Sequence, residues 1–98
     1  MALLDLLGRR WALRVLWELR HDGAPTFRQL QGRCGDISSS VLSQRLRELR
    51  EAGIVAPEAS GGYKLTDEGS RLLELLAPLD AWAKRWAERT AGRADRSR

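Results

Sequence analysis

Leu42, Leu46 and Leu49 recur at i, i+4 and i+7 in the run Gly35-Asp36-Ile37-Ser38-Ser39-Ser40-Val41-Leu42-Ser43-Gln44-Arg45-Leu46-Arg47-Glu48-Leu49-Arg50. That spacing makes one apolar stripe along a helix and obliges Ser40, Ser43, Gln44 and Arg47 to face the other way. The helix carries its own start and stop. Ser38 is placed to cap the first turn while Ile37 staples against Leu42. Gly53 fits the left-handed position after the last turn, with Ile54 packing back on Leu49. A stripe this narrow needs apolar partners beneath it, so the remaining chain must supply a core that leaves the serine, glutamine and arginine face outside.

The flanking sequence reads as a series of short, punctuated elements. A first apolar helix over about 2–7 ends at Gly8. A second, over about 10–21, carries Trp11, Leu13, Val15, Leu16, Trp17 and Leu19 and stops at Asp22-Gly23, with His21 placed to cap its last carbonyls. Thr26 and Gln29 form a capping box for a third helix running to about Cys34. Two short strands over about 54–58 and 62–65 are joined by Ala59-Ser60-Gly61-Gly62. Thr66 then caps a long helix whose first turn holds Asp67 and Glu68, where the dipole favours acids. Pro78 lies inside it and is expected to kink it by crowding the Glu74 carbonyl. The expected fold is mostly α with a small β-hairpin wing, a winged helix-turn-helix whose long C-terminal helix serves dimerisation. Residues 1–90 are expected to form the domain, and 91–98 a disordered basic tail in which Arg93, Arg96 and Arg98 either solubilise the end or touch DNA.

Composition narrows the function. With 98 residues, 43% hydrophobic and 31% charged, the chain holds one core and no more. Its net charge of +4 and pI near 10.2 favour an anionic partner, and fifteen of its seventeen basic residues are arginine. No apolar run approaches the ~18 residues of a membrane span, and the first residues lack a signal-peptide pattern, so a cytoplasmic location is expected. One cysteine, Cys34, and one histidine, His21, do not supply an internal disulfide, a Cys-rich metal site or a Cys-His pair. With no Gly-rich phosphate loop either, neither an enzyme nor a cofactor is expected.

The front half of the fourth helix offers Ser39, Ser40, Ser43, Gln44 and Arg47 with no acid among them, while Glu48 and Glu51 lie behind. Glutamine pairs bidentately with adenine, arginine with guanine, and serine reaches a base or a phosphate. These five are the candidate base readers. Thr26, Arg28, Arg45, Arg50 and Lys64 are the candidate backbone contacts, with Arg45 close enough to the stripe to pair with an acid instead. On the long helix, Trp82 and Trp86 lie about 24–30 Å along the axis at ~1.5 Å per residue, beyond the reach of so small a core. Leu3, Leu4 and Leu7 of the first helix with Leu72, Leu76, Leu79, Trp82 and Trp86 of the last are therefore the candidate dimer interface. Trp11, Trp17 and neighbouring leucines between the first, second and last helices either pack as core or line a cavity for a small apolar or aromatic effector.

Leu6-Leu7-Gly8-Arg9-Arg10-Trp11-Ala12-Leu13, Thr26-Phe27-Arg28-Gln29-Leu30, Leu42-Ser43-Gln44-Arg45-Leu46-Arg47-Glu48-Leu49 and Tyr63-Lys64-Leu65-Thr66-Asp67-Glu68-Gly69 resemble, in order and spacing, the HxlR family of bacterial transcription regulators. The resemblance implies a homodimer on a pseudo-palindromic operator in double-stranded DNA, joined through the first and last helices, with residues 38–52 in the major groove. The family commonly has a cysteine just ahead of its first helix. Here Cys34 falls instead where the family has an aliphatic residue, which implies burial. The wing is shorter than the family's and lacks its Pro- and Arg-containing tip, leaving Lys64 as its one basic residue. That short wing also fits a protein-interaction or non-specific architectural module.

Overall fold

The computed structural model describes residues 2–21 and 23–96, with side chains to residue 91. Its elements run α1 (Ala2–Leu7), α2 (Ala12–Glu18), α3 (Phe27–Cys34), α4 (Ser39–Glu51), β1 (Val55–Pro57), β2 (Tyr63–Leu65) and α5 (Asp67–Arg96). The order is that of a winged helix-turn-helix.

Local chemistry accounts for most boundaries. Thr26 Oγ1 accepts from the Gln29 amide at 3.2 Å while Gln29 Oε1 accepts from the Thr26 amide at 2.9 Å, the reciprocal capping box expected there. Ser38 Oγ accepts from the Val41 amide at 3.2 Å. At the other end of α4, Gly53 sits at φ 76°, its amide donating to the Arg50 carbonyl at 3.0 Å and that of Ile54 to the Leu49 carbonyl at 2.9 Å. These two bonds close a Schellman motif and leave Ile54 buried in the same cluster as Leu49. Thr66 Oγ1 accepts from the Gly69 amide at 3.1 Å and starts α5.

α2 is shorter than its apolar run. Trp11 stands at φ 76°, a left-handed conformation uncommon for an aromatic residue, and α2 begins only after it. At the far end Leu19 and Arg20 close tight i−3 bonds to Leu16 and Trp17. His21 lies outside the helix, and Arg20 rather than His21 serves the final carbonyls, its Nη1 donating to Trp17 O at 3.0 Å.

The core joins Val15 and Leu16 of α2, Leu19 just past its end, Leu30 and Cys34 of α3, Ile37, the Leu42, Leu46 and Leu49 stripe, and Ile54 and Val55. The hairpin pairs Val55 with Leu65, Ala56 with Lys64 and Pro57 with Tyr63. It is tied to the α2–α3 loop by the Tyr63 amide, which donates to Pro25 O at 3.0 Å. Gly62 lies so close to the Ala24 backbone that a Cβ there would collide with it. α5 continues unbroken through Pro78, leaving the Glu74 carbonyl without its usual amide donor. It also continues to Arg96, past residue 91 where loss of structure was expected, because Ala91, Arg93 and Ala94 favour propagating a helix already formed. Residues 97–98 lie outside the described residues, as do the side chains of Arg93 and Arg96. At ~1.5 Å per residue α5 is about 45 Å long. It stretches the molecule to 52 × 26 × 26 Å.

Candidate nucleic-acid interface

The buried stripe of α4 decides what the opposite face presents. Leu42 and Leu49 are fully buried and Leu46 nearly so, leaving Ser39, Ser40, Ser43, Gln44 and Arg47 all exposed. Among the described residues, Ser43, Gln44 and Arg47 have no hydrogen-bond or ion-pair partner, so their donors and acceptors are free for a ligand. Two of the serines are already engaged. Ser40 Oγ lies 3.3 Å from Ser38 Oγ, and Ser39 Oγ accepts from Gln31 Nε2 at 3.2 Å.

Gln31 is a contributor that sequence reasoning missed. Its amide also donates to the Ile37 carbonyl at 3.2 Å, so one α3 side chain holds both the turn and the first residue of α4. The available signal was a polar residue one turn before Gly35, on the side of α3 facing the turn. Beside it, Phe27, Arg28, Gln31, Gly32, Gly35 and Ser39 line a shallow cleft between α3 and the start of α4. Arg28 is exposed at its edge, next to the amide end of α3 capped by Thr26.

The backbone candidates separate. Arg28 and Arg50 are exposed, and Arg50 shares an open cleft with Arg47 and Glu51. Lys64 is exposed but paired with Glu58 at 3.2 Å, which neutralises the wing's basic residue. Arg45 is a correction: its side chain is only 12% exposed and is consumed inside the protein, Nε donating to Arg10 O at 2.8 Å and Nη1 to Glu48 Oε1 at 2.7 Å. Glu48 is drawn inward with it, so among the described residues Glu51 is the acid left on the outer side of the second half of α4.

Cys34 lies beneath this seam, 3% exposed within the core. Burial, reinforced by the Glu18 carboxylate and opposed by Arg14, pushes its thiol above the ordinary value. On the far side of the molecule, Leu7, Leu72 and Leu76 pack against the chain's own core, which removes them as fully outward residues. Leu3, Leu4, Leu79, Trp82 and Trp86 are exposed, and Leu75, omitted from the expected set, is 76% exposed. Trp82 and Trp86 stack on each other at 6.0 Å, with both rings half in solvent. A groove of about 360 Å³ between α2 and α5 is lined by Leu13, Trp17, Leu73, Leu76, Leu79 and Ala83, with Arg14 and Asp80 beside them. Trp11 is not part of it and packs on the core instead. No helix among the described residues is long and apolar enough to cross a membrane.

A model of the HxlR-like helix-turn-helix matches residues 6–91, nearly the whole chain. The chain belongs to the HxlR-like family. Among relatives, this HxlR-like chain is 32% identical over 90 residues to the uncharacterised HTH-type transcriptional regulator YvaP of Bacillus subtilis, covering 86% of this chain and 82% of YvaP. It is 33% identical over 90 residues to the HTH-type transcriptional regulator YodB of the same organism, covering 86% and 80%. The crystal structure of quinone-bound YodB is similar with a TM-score of 0.76 at 31% identity, over 86% of this chain and 92% of that one. The protein is thus a transcriptional regulator with a helix-turn-helix DNA-binding domain.

Proposed function

We propose that the protein acts as a homodimer on a pseudo-palindromic operator, each protomer placing α4 in the major groove of one half-site. The observation that carries this reading is the acid-free, exposed front of α4, where Ser43, Gln44 and Arg47 have no partner among the described residues. Ser39, Ser40, Ser43, Gln44 and Arg47 read bases; Thr26, Arg28 and Arg50 contact the backbone. α1 and the Leu75–Trp86 stretch of α5 join the protomers through Leu3, Leu4, Leu75, Leu79, Trp82 and Trp86, setting half-sites about one helical turn (~34–36 Å) apart. The apolar groove between α2 and α5 takes a small aromatic or apolar effector, a reading supported by its Trp17 and leucine lining and by the quinone bound to the relative YodB.

Selection of bound sequences from a random DNA pool with the purified protein tests the reading. Enrichment of a palindromic site is expected. A pool that stays random, with binding that no selected sequence outcompetes, overturns it.

A further inference from the structure

Arg45 and Glu48 are the two half-buried charges of α4, with side chains 12% and 18% exposed, and neither belongs to its outer surface. Both reach back to one short piece of chain. Arg45 Nε donates to the carbonyl of Arg10, and the second carboxylate oxygen of Glu48 lies 3.3 Å from Nε of Arg9. That oxygen is buried and accepts no hydrogen bond among the described residues, so the Arg9 guanidinium is what compensates it. Arg9 and Arg10 form the junction between α1 and α2, where the chain turns through left-handed Trp11. Among the described residues, these are the polar contacts between α4 and everything ahead of α2. Arg9 is half exposed, so the buried charges are Arg45 and Glu48, and removing either of these leaves the other without its charged partner inside the protein. A guanidinium suits the place because its rigid fork donates in two directions at once, to a carbonyl and to a carboxylate.

We propose that Arg45, Glu48 and Arg9 form a positioning clamp that fixes the angle between the reading helix and the α1–α2 junction, and thereby sets the half-site spacing the dimer accepts. The inference rests on the DNA reading above, since α1 carries Leu3 and Leu4 toward the proposed dimer face while α4 carries the base readers. Arg45 is then a positioning residue and not a phosphate contact.

Arg45→Lys and Arg45→Met separate the two roles on the operator that the wild type selects. A clamp predicts that both variants lose affinity about tenfold, because neither replaces the fork. It also predicts an unchanged slope of log affinity against log salt. In a fresh selection both variants should enrich the same half-site bases at a broader range of spacings. The clamp is overturned if Lys retains affinity while Met lowers the salt slope by about 0.9, the signature of one lost phosphate contact. It is equally overturned if spacing stays fixed. A readout without DNA keeps the clamp testable if the wild type selects no site, in which case the DNA reading alone has failed. The Ala12 amide donates to the Arg9 carbonyl at 3.1 Å. Its hydrogen exchange should quicken in Arg45→Met and in Glu48→Gln, a variant that keeps the side chain's shape, but not in Arg47→Ala. Unchanged protection at Ala12 in both overturns the clamp.

Discussion

α4 and the Leu75–Trp86 stretch of α5 are both amphipathic with one face in solvent, and they expose opposite chemistry. α4 hides Leu42, Leu46 and Leu49 in the chain's own core and turns serines, a glutamine and arginines outward. α5 turns Leu75, Leu79, Trp82 and Trp86 outward, and by the two tryptophans it has run past the core that its first turns cover. The radius of gyration shows the overreach: 15.2 Å, against about 13 Å for a compact chain of this length. A helix that satisfies its stripe internally has a free polar face to offer an anion. One that cannot satisfy it internally offers an apolar face to protein.

The largest effect tests the internal half of that contrast. Leu42→Ala is expected to destabilise the fold by about 2–5 kcal/mol, because a fully buried side chain leaves a cavity on two helices. Leu75→Ala, at 76% exposure, should stay within about 0.5 kcal/mol in protein diluted to the monomer. Equal losses in thermal denaturation would erase the distinction. Next comes the external half. Trp82→Glu with Trp86→Glu should leave the monomer's melting unchanged and abolish the proposed dimer, since each tryptophan anchor is worth roughly 2 kcal/mol or more at an interface. Sedimentation that reports the same mass for the variant and the wild type would break the assignment of this face.

The two helices also differ in how far they were legible from residues alone. α4 was readable almost entirely: Ser38, Gly53 and Ile54 act on backbone groups within five positions, and local chemistry of that kind is written locally. α5 was readable as a helix but not in its facing. Leu72, Leu73, Leu75, Leu76 and Leu79 spread over an arc of about 160° at ~100° per residue, wider than one contact stripe, so periodicity alone does not say that Leu72 and Leu76 turn inward and Leu75 outward. What escaped at the candidate site was long-range. Arg45 is claimed by a carbonyl thirty-five residues away, and Trp11 takes a left-handed turn that no propensity of tryptophan announces. Gln31, too, acts across the turn, on a carbonyl six residues ahead and a hydroxyl eight ahead, and no cap or periodicity marks it for that.

A moderate effect sharpens the polar side. Arg47→Ala is expected to weaken operator binding by about 1–3 kcal/mol and to relax preference at one base position. Its fold should be unaffected, because no partner inside the described protein is lost. Retained sequence preference in a competition assay would show that the reading face is elsewhere on α4. Arg28→Ala and Arg50→Ala should act more gently and without regard to sequence, each lowering the salt slope by about 0.9. If either altered base preference instead, the split between base readers and backbone contacts would have to be redrawn.

The smallest effect concerns the seal beneath α4. Cys34 is an acid whose charged form is disfavoured by burial, so its folded value lies above the ordinary 9.0 of the free thiol. As pH rises through that ordinary value, the unfolded chain releases the thiol proton first and binds fewer protons than the native chain. Stability therefore falls from about there upward, and the contribution is intact at neutral pH. Other groups titrate in the same range, and Cys34→Ala isolates the thiol by subtraction. The wild type should lose more melting temperature than Cys34→Ala between pH 8 and pH 10, and near pH 7.5 its native thiol should resist alkylation relative to the unfolded chain. Alkylation of the native protein at the unfolded rate would mean that the α3–α4 seam admits solvent, so that α4 is no better covered from beneath than the tryptophans of α5.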